Sequence, residues 1–517
     1  MLLVILSAVL GILAFPPSGI YPLGFVFLVP LFIFFIKENK LSRLLLGTFV
    51  FKLIFSVGTT FFIFEPFLYL LSIMIFLGLP VFIFFVKKLI KFLVGKYFPR
   101  FSGSQSLIDN CSLLLLLPFL WTFFDFLQAK YGFLPTYIIT AGNIFGSSPF
   151  LGLAGFGGLI TLAFFAALIN SLAAFTIMNF SKFKFRALIS ALCLICLIFG
   201  GYFLSKSELK KNALAYEKQP LKLNIALVSA NKNFDQDFWV FKNDILSPGE
   251  KKIAETLIVR ALNPLKTELQ GVPVDFLVLP KDMIDIESDE DIDEEARDKF
   301  GIENAGVLIR AYRALAQELN VNLITTLTTV QNGQRYVSTV VFNREGDLTG
   351  LYNKFNLTVV GEYWPFGDWR PFYYNWAKKL LQRAGQGETA VLSQKYAYQP
   401  GQIKVLEIDS PLLNLVFGSA ICNEIQYPWQ MKKLQTMGAK FIAYTTDNKW
   451  AVYGLKSYLK QTDNLRKIEA VWLGMPILIN GREEMAGIIT PDGKMESINF
   501  ESQNKDFGIF IGEIKLK

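Results

Sequence analysis

A chain of 517 residues with 52% hydrophobic residues and a net charge of +8 is long enough for more than one domain. It contains no histidine, which excludes Ser-His and Cys-His nucleophilic chemistry and histidine-zinc centres. Its average composition conceals two unlike halves: residues 1 to about 205 are almost continuously apolar, and the remainder has the mixed composition of an ordinary α/β domain. The first half predicts a membrane bundle of about seven spans, at 2–15, 22–36, 44–64, 67–86, 111–128, 149–178 and 187–204.

The connecting charges orient this bundle. Lys37, Lys40 and Arg43 share one loop, Lys87, Lys88, Lys91, Lys96 and Arg100 another, and Lys182, Lys184 and Arg186 a third. The intervening loops hold only Lys130 among lysines and arginines. This alternation places the N-terminus in the cytoplasm, and seven spans then put the C-terminal domain outside the cytoplasmic membrane. The positive balance follows from the cytoplasmic loops and gives no argument for nucleic acid. The N-terminal apolar segment lacks a basic start and runs into Phe15-Pro16-Pro17-Ser18-Gly19, so it reads as an uncleaved span. The expected organisation is a bundle over 1–205, a linker over 206–220 and an extracytoplasmic domain over 221–517.

In the second half, β-branched and apolar runs predict strands at 221–228, 276–279, 321–329, 336–342, 413–417, 441–444, 476–479 and 486–489. Helical periodicity falls at 249–269, 304–319, 428–437 and 455–473. Arg344-Glu345-Gly346-Asp347 and Pro491-Asp492-Gly493 mark hairpin turns. The alternation of strands and helices predicts a layered α/β domain. The acidic run Asp285–Asp298 lacks the glycine and ligand spacing of a calcium loop and reads as a solvated segment.

Three segments have the residue types for chemistry. The first is Phe417-Gly418-Ser419-Ala420-Ile421-Cys422-Asn423-Glu424, an apolar strand entering a small-residue turn at a thiol. Cys111, Cys193 and Cys196 fall in predicted spans, so Cys422 is the one cysteine of the soluble half, unpaired where structural cysteines come in pairs. A buried core thiol is the bland alternative. Without histidine, a nucleophilic Cys422 needs a carboxylate or a lysine beside it. The second segment is Tyr352-Asn353-Lys354-Phe355-Asn356-Leu357, continuing to Gly361-Glu362-Tyr363-Trp364-Pro365, with a lysine at a strand end fit to stabilise an oxyanion. Alone, that lysine would read as a surface residue. The third is Asp275–Asp282, a strand that ends in Pro280-Lys281-Asp282 at the rim of the sheet.

Taken in order, these segments resemble the carbon–nitrogen hydrolase (nitrilase) superfamily, which uses a Glu-Lys-Cys triad on a four-layer αββα sandwich. With the membrane half included, the chain resembles the bacterial apolipoprotein N-acyltransferase family. The similarity extends to Gly11–Pro17, to Pro118-Phe119-Leu120-Trp121 with Asp125, and to the glycine-rich entry of the sixth span ending at Asn170. It also includes Val228-Ser229-Ala230-Asn231, Thr446-Asp447-Asn448 with Trp450, and Asn480-Gly481. The resemblance implies that Cys422 is the nucleophile and Lys354 the triad lysine, with Glu362 and Glu424 as acidic residues near the site. The implied reaction has two steps: the thiolate takes an acyl chain from a phospholipid, and the α-amine of a diacylglyceryl-cysteine lipoprotein then accepts it. No cofactor, metal or nucleic acid is implied, and the protein is expected to act as a monomer.

Four features depart from the family pattern. Lys281 stands where the triad glutamate follows a proline, and Asn423 where an aromatic residue follows the cysteine. The Gly-Phe-Pro-Trp stretch appears as Gly132-Phe133-Leu134-Pro135-Thr136, and no eighth span follows the soluble half. Three readings follow. Asp282 replaces the base, which needs a bulge or turn because one step along a strand reverses the side chain. Alternatively, Lys281 and Lys354 together favour the thiolate, and Glu362 or Glu424 deprotonates the acceptor. In the third, the chain binds lipid or lipoprotein without turnover. Amide hydrolysis is a more distant possibility. The aromatic run Tyr363–Trp376, with Trp364 and Trp369, and the adjacent Lys378, Lys379 and Arg383 suit a lid at the headgroup layer; a cover on the sandwich is the plainer alternative.

Overall fold

The computed structural model describes residues 1–61, 66–97, 105–131, 137–180, 184–230, 248–284, 291–359, 361–371, 397–410, 413–448, 454–498 and 507–517. It divides into two compact units. The first comprises Met1–Ala213, Ala451–Gly474 and Pro491–Gly493; the second comprises Leu214–Trp450, Met475–Thr490 and Lys494–Lys517.

The first unit is helical: α1 (Leu2–Ala14), α2 (Val29–Lys37), α3 (Leu41–Thr59), α4 (Pro66–Phe76), α5 (Gly78–Tyr97), α6 (Gln105–Tyr131), α7 (Gly158–Asn179) and α8 (Lys184–Glu217). Five segments are long and apolar enough to cross a membrane, at Leu41–Thr59, Phe67–Leu93, Leu113–Tyr131, Gly158–Asn179 and Lys184–Glu217, and Leu2–Ala14 and Tyr21–Lys37 are shorter apolar helices. Phe185, Leu188, Leu192, Ile195, Phe199 and Phe203 on α8 are exposed, an apolar stripe suited to hydrocarbon. The expected 149–178 span begins as a helix only at Gly158, because Leu151–Phe156 is a 3₁₀ turn. There the chain runs close against α8: a Cβ on Gly152 would lie 2.1 Å from the Ser205 carbonyl oxygen.

Two buried polar clusters inside the bundle are paired, as a low-dielectric interior favours. Asn170 on α7 donates to the Gly24 and Ala166 carbonyls and accepts from the Leu28 amide, each at 2.8 Å. Lys52 on α3 lies 3.4 Å from Asp125 on α6, with its ammonium 3.7 Å from the Phe76 ring centroid. Asp125 also accepts from the Ala141 amide at 3.1 Å.

The expected domain boundaries differ from this division in two places. Helix α8 runs to Glu217 through the segment expected as a linker. The helix Leu455–Leu473 (α13 below) groups with the bundle, because its Gln461 amide donates to the Thr59 and Pro16 carbonyls and its Asn464 amide to the Asn143 carbonyl.

The second unit carries strands β1 (Leu221–Ala230), β2 (Phe276–Lys281), β3 (Asn322–Gln331), β4 (Gln334–Phe342), β5 (Leu348–Asn353), β6 (Leu406–Ser410), β7 (Leu413–Ile421), β8 (Ile442–Asp447), β9 (Ile477–Arg482), β10 (Ala486–Ile489), β11 (Met495–Ile498) and β12 (Phe507–Leu516). Its helices are α9 (Pro248–Leu269), α10 (Glu294–Phe300), α11 (Gly306–Leu319) and α12 (Pro428–Thr436); α13 (Leu455–Leu473) lies between β8 and β9 in sequence. The strand order is β5-β4-β3-β2-β1-β9-β8-β7-β6, with β12 on β1 and β10 on β9. β1 and β9 meet through the single pair Ala230 and Arg482, so the sheet folds there into two faces. This is the nitrilase-like αββα sandwich.

Strand alternation supplies two cores. Leu277 and Leu279 face α9 and α11, whereas Phe276 and Val278 join Ile324, Tyr352, Phe417, Ile421 and Cys422 between the sheets. The eight strands expected from sequence are present; β5, β6, β11 and β12 are additional. The expected acidic loop also differs. Glu294–Phe300 is a helix capped by Asp293, and Arg313 pairs with Asp293 and Glu295, because acids at a helix N-terminus satisfy free amides. Residues 285–290 of that run lie outside the described residues.

Candidate active site

Cys422 lies just beyond β7, buried, with φ +53°, and opens the 3₁₀ turn Cys422–Gln426. A non-glycine residue in the left-handed region is strained and persists only where its surroundings hold it. Glu424 supplies that hold. Its Oε2 accepts from the Ile421 amide at 2.9 Å, and its Oε1 accepts from the Phe355 amide (2.9 Å), the Asn356 amide (3.1 Å), the Tyr352 hydroxyl (2.7 Å) and the Gln430 amide (2.9 Å). One buried carboxylate thus ties the lysine loop to the cysteine turn. Burial pushes its carboxyl up, opposed by Lys354, Tyr352 and Gln430.

Lys354 follows β5 and is fully buried. Its backbone amide donates to Val337 O, and its Nζ donates to both Glu362 oxygens at 2.8 and 2.6 Å and to Thr358 Oγ1 at 3.2 Å. Glu362 also accepts from the Thr358 amide at 2.7 Å. Burial alone would raise the Glu362 carboxyl, but the ammonium groups of Lys354 and Lys281 hold it below the ordinary carboxylate range.

Lys281 ends β2, where the register against β3 shifts between Val278 and Lys281. Its Nζ lies 3.3 Å from Asp282 Oδ2 and 3.9 Å from Glu362 Oε1. Burial disfavours its charge, yet Asp282, Glu362, Cys422 and Asp447 together raise it well above the usual lysine range. Asp282 has φ +47°; its amide donates to Thr326 O, and its carbonyl accepts from Arg482 Nη1 at 2.7 Å. The irregularity that an Asp282 side chain needs to turn is therefore present.

Thr326 Oγ1 lies 3.1 Å from Thr339 and 2.8 Å from Thr445, and Thr339 lies 2.7 Å from Ser419, so a ladder of hydroxyls joins the two sheets.

The structure brings Lys281, Asp282, Lys354 and Glu362 into one charged array, with Cys422 within its electrostatic reach and Glu424 as a brace. Trp364 and Trp369 form a separate cluster. Trp364 is buried, donates its Nε1–H to the Trp369 carbonyl at 2.7 Å and stacks edgewise on Phe366, whereas Trp369 is 52% exposed. Phe372, Tyr373, Tyr374, Trp376, Lys378, Lys379 and Arg383 lie outside the described residues, as do Asn231, Gly132–Thr136 and Trp450. Sequence reasoning missed Tyr352, Thr358, Gln430 and Arg482. Arg482 alone carried a signal, as a charge closing the apolar run Ile477–Ile479 directly after Asn480-Gly481.

The array has a signed pH dependence. The folded Glu362 carboxyl lies below its ordinary value of 4.5, so the unfolded state binds more protons between those values. Its contribution to stability is fully present above that ordinary value and is lost as pH falls through the folded value. Thermal unfolding in detergent is expected to show a smaller acid-side loss for Glu362→Gln than for the parent chain; superimposable acid limbs would refute this.

Residues 7–172 match the apolipoprotein N-acyltransferase N-terminal domain, and residues 278–515 match the carbon-nitrogen hydrolase domain. Among solved structures, the chain is similar to a carbon-nitrogen hydrolase from Helicobacter pylori, with 16% identity, 57% of this chain and 89% of that one covered, and a TM-score of 0.36. It is also similar to Nit3 of Saccharomyces cerevisiae, a member of branch 10 of the nitrilase superfamily, with 16% identity, coverage of 57% and 91%, and a TM-score of 0.35. An amidase from Nesterenkonia sp. gives 14% identity, coverage of 57% and 90%, and a TM-score of 0.34. No curated protein matches the chain.

Proposed function

From a chain that belongs to the nitrilase superfamily and has the architecture of the bacterial apolipoprotein N-acyltransferases, a membrane-embedded N-terminal domain joined to a carbon–nitrogen hydrolase domain, we propose transfer of a phospholipid acyl chain, through a Cys422 thioester, to the N-terminal amine of a diacylglyceryl-cysteine lipoprotein. The protein is a multi-pass inner-membrane protein, so both lipid substrates are at hand. The observation that carries the reading is Cys422, held at φ +53° beside a Lys281–Glu362–Lys354 array.

In the first step the Cys422 sulfur attacks the ester carbonyl of the donor. A carbon–sulfur bond forms, the lysophospholipid oxygen leaves, and the thiol proton passes to that oxygen through a carboxylate. Lys354 is the proposed donor to the developing oxyanion. In the second step the neutral acceptor amine attacks the thioester, its surplus proton returns to sulfur, and the amide leaves. The proposed proton carrier is one of the two carboxylates bordering Lys281. Asp282→Asn abolishing acyl-enzyme formation assigns the role to Asp282, whereas an unaffected Asp282→Asn with an inactive Glu362→Gln assigns it to Glu362.

The test is intact-mass analysis of the detergent-purified protein after incubation with phosphatidylethanolamine. A gain of one acyl chain, absent in Cys422→Ala, is expected. A parent chain that forms no adduct across donor lipids and pH overturns the transfer reading. It would favour the second reading, lipid or lipoprotein binding without turnover, which Lys281 at the place of the family's glutamate motivates.

A further inference from the structure

Asn423, directly after the nucleophile, is 3% exposed. Neither its Oδ1 nor its Nδ2 makes a hydrogen bond among the described residues. The Tyr427 hydroxyl lies close enough for Asn423 to favour its anion, yet the pair misses hydrogen-bond geometry; Tyr427 also lies within electrostatic reach of Tyr363, Glu362 and Glu424, so the carboxamide belongs to the lysine-loop side of the turn. Buried amides are almost always paired, and one that is not, next to a strained nucleophile, signals a partner that arrives with substrate. Glu424 is unlike it, since both of its oxygens already accept hydrogen bonds.

We propose that Asn423 is a further catalytic residue, one that seats the tetrahedral adduct formed when the acceptor amine attacks the Cys422 thioester. This rests on the acyl-transfer reading above. In that step a carbon–nitrogen bond forms and the carbonyl electron pair moves onto oxygen. The adduct then carries an anionic oxygen and an N–H nitrogen on one carbon. A carboxamide presents the complementary pair on its own single carbon: Nδ2–H donates to the oxygen and Oδ1 accepts from the nitrogen. Collapse breaks the carbon–sulfur bond, releases the amide and returns the amine's proton to sulfur. The contact with nitrogen exists only in the second half-reaction, so Asn423 favours amine over other acceptors of the acyl group.

The test uses the full chain in detergent and follows the half-reactions separately. Acylation by phosphatidylethanolamine is read as intact mass, and transfer to a synthetic diacylglyceryl-cysteine lipopeptide as product mass. Asn423→Leu, close in volume and without polar atoms, is expected to keep its melting temperature and acylate within about 10-fold of the parent rate, yet to transfer to the lipopeptide about 100-fold more slowly. Its acyl-enzyme is expected to partition toward free fatty acid. Asn423→Asp, which keeps the acceptor and loses the donor, is expected to fall between. Equal loss in both half-reactions with a lowered melting temperature would make Asn423 structural and overturn the proposal, as would unchanged partitioning. A parent chain that never acylates overturns the transfer reading itself and this proposal with it, an outcome told apart by the parent's own mass spectrum.

Discussion

Glu424→Ala is expected to release the cysteine turn and lower both stability and acylation. The substitution strands the amides of Phe355, Asn356 and Ile421 and the Tyr352 hydroxyl proton, which now converge on one carboxylate, and leaves the Gln430 amide only its bond to the Tyr352 hydroxyl. A buried donor left without a partner costs about 1–3 kcal/mol. Relaxation will recover part of that sum, so a net loss of at least about 3 kcal/mol is expected. Glu424→Gln keeps the shape but turns an amide toward a donor, and its loss should be roughly half as large. Thermal unfolding in detergent measures the first effect. The alkylation rate of Cys422 by iodoacetamide measures the second, because a relaxed turn no longer holds φ +53°. An unshifted melting temperature in Glu424→Ala would show that the carboxylate does not brace the turn.

Lys281→Glu, which supplies the residue the family resemblance leads one to expect, is predicted to slow acyl-enzyme formation. The Lys281 ammonium lies 3.3 Å from Asp282 and 3.9 Å from Glu362, and Asp447 also acts on it. Reversing its charge gathers carboxylates around Lys354 as the remaining cation of the array and places like charges side by side at the mouth of the array. A loss of about 100-fold or more in acylation is expected, the scale on which a positioned acid or base acts. Lys281→Met should be less severe, since it removes the cation without adding an anion. Faster acylation by Lys281→Glu would mean that this position serves as a proton acceptor and that the present chain is impaired by its lysine.

The segments that converge on the candidate site were readable because each is a short contiguous string. Cys422 at a turn after an apolar strand, Lys354 at a strand end and Glu362 eight residues on all occupy the array or its border. Eight strands and four helices followed from period and turn residues; of the seven expected spans, five are long and apolar enough to cross a membrane and two are shorter apolar helices. Strands such as Leu406–Ser410 and Met495–Ile498 are too short for alternation to register.

What the sequence determined alone was most of the longer segments and the absence of histidine, since hydropathy, turn chemistry and residue type are local properties. Tertiary structure decided how those segments are used. It placed Glu424 beneath a loop almost 70 residues away, since β5 and β7 are not neighbours in the sheet and only tertiary packing brings the Phe355 amide to the carboxylate that already holds the Ile421 amide. It set a register shift before Lys281, which turns that side chain toward Glu362, and no single-strand pattern encodes a shift that depends on β3. It also drew α13 into the compact unit of the bundle, because the Gln461 and Asn464 amides find carbonyl partners there, and a buried amide goes where its hydrogen bonds are met.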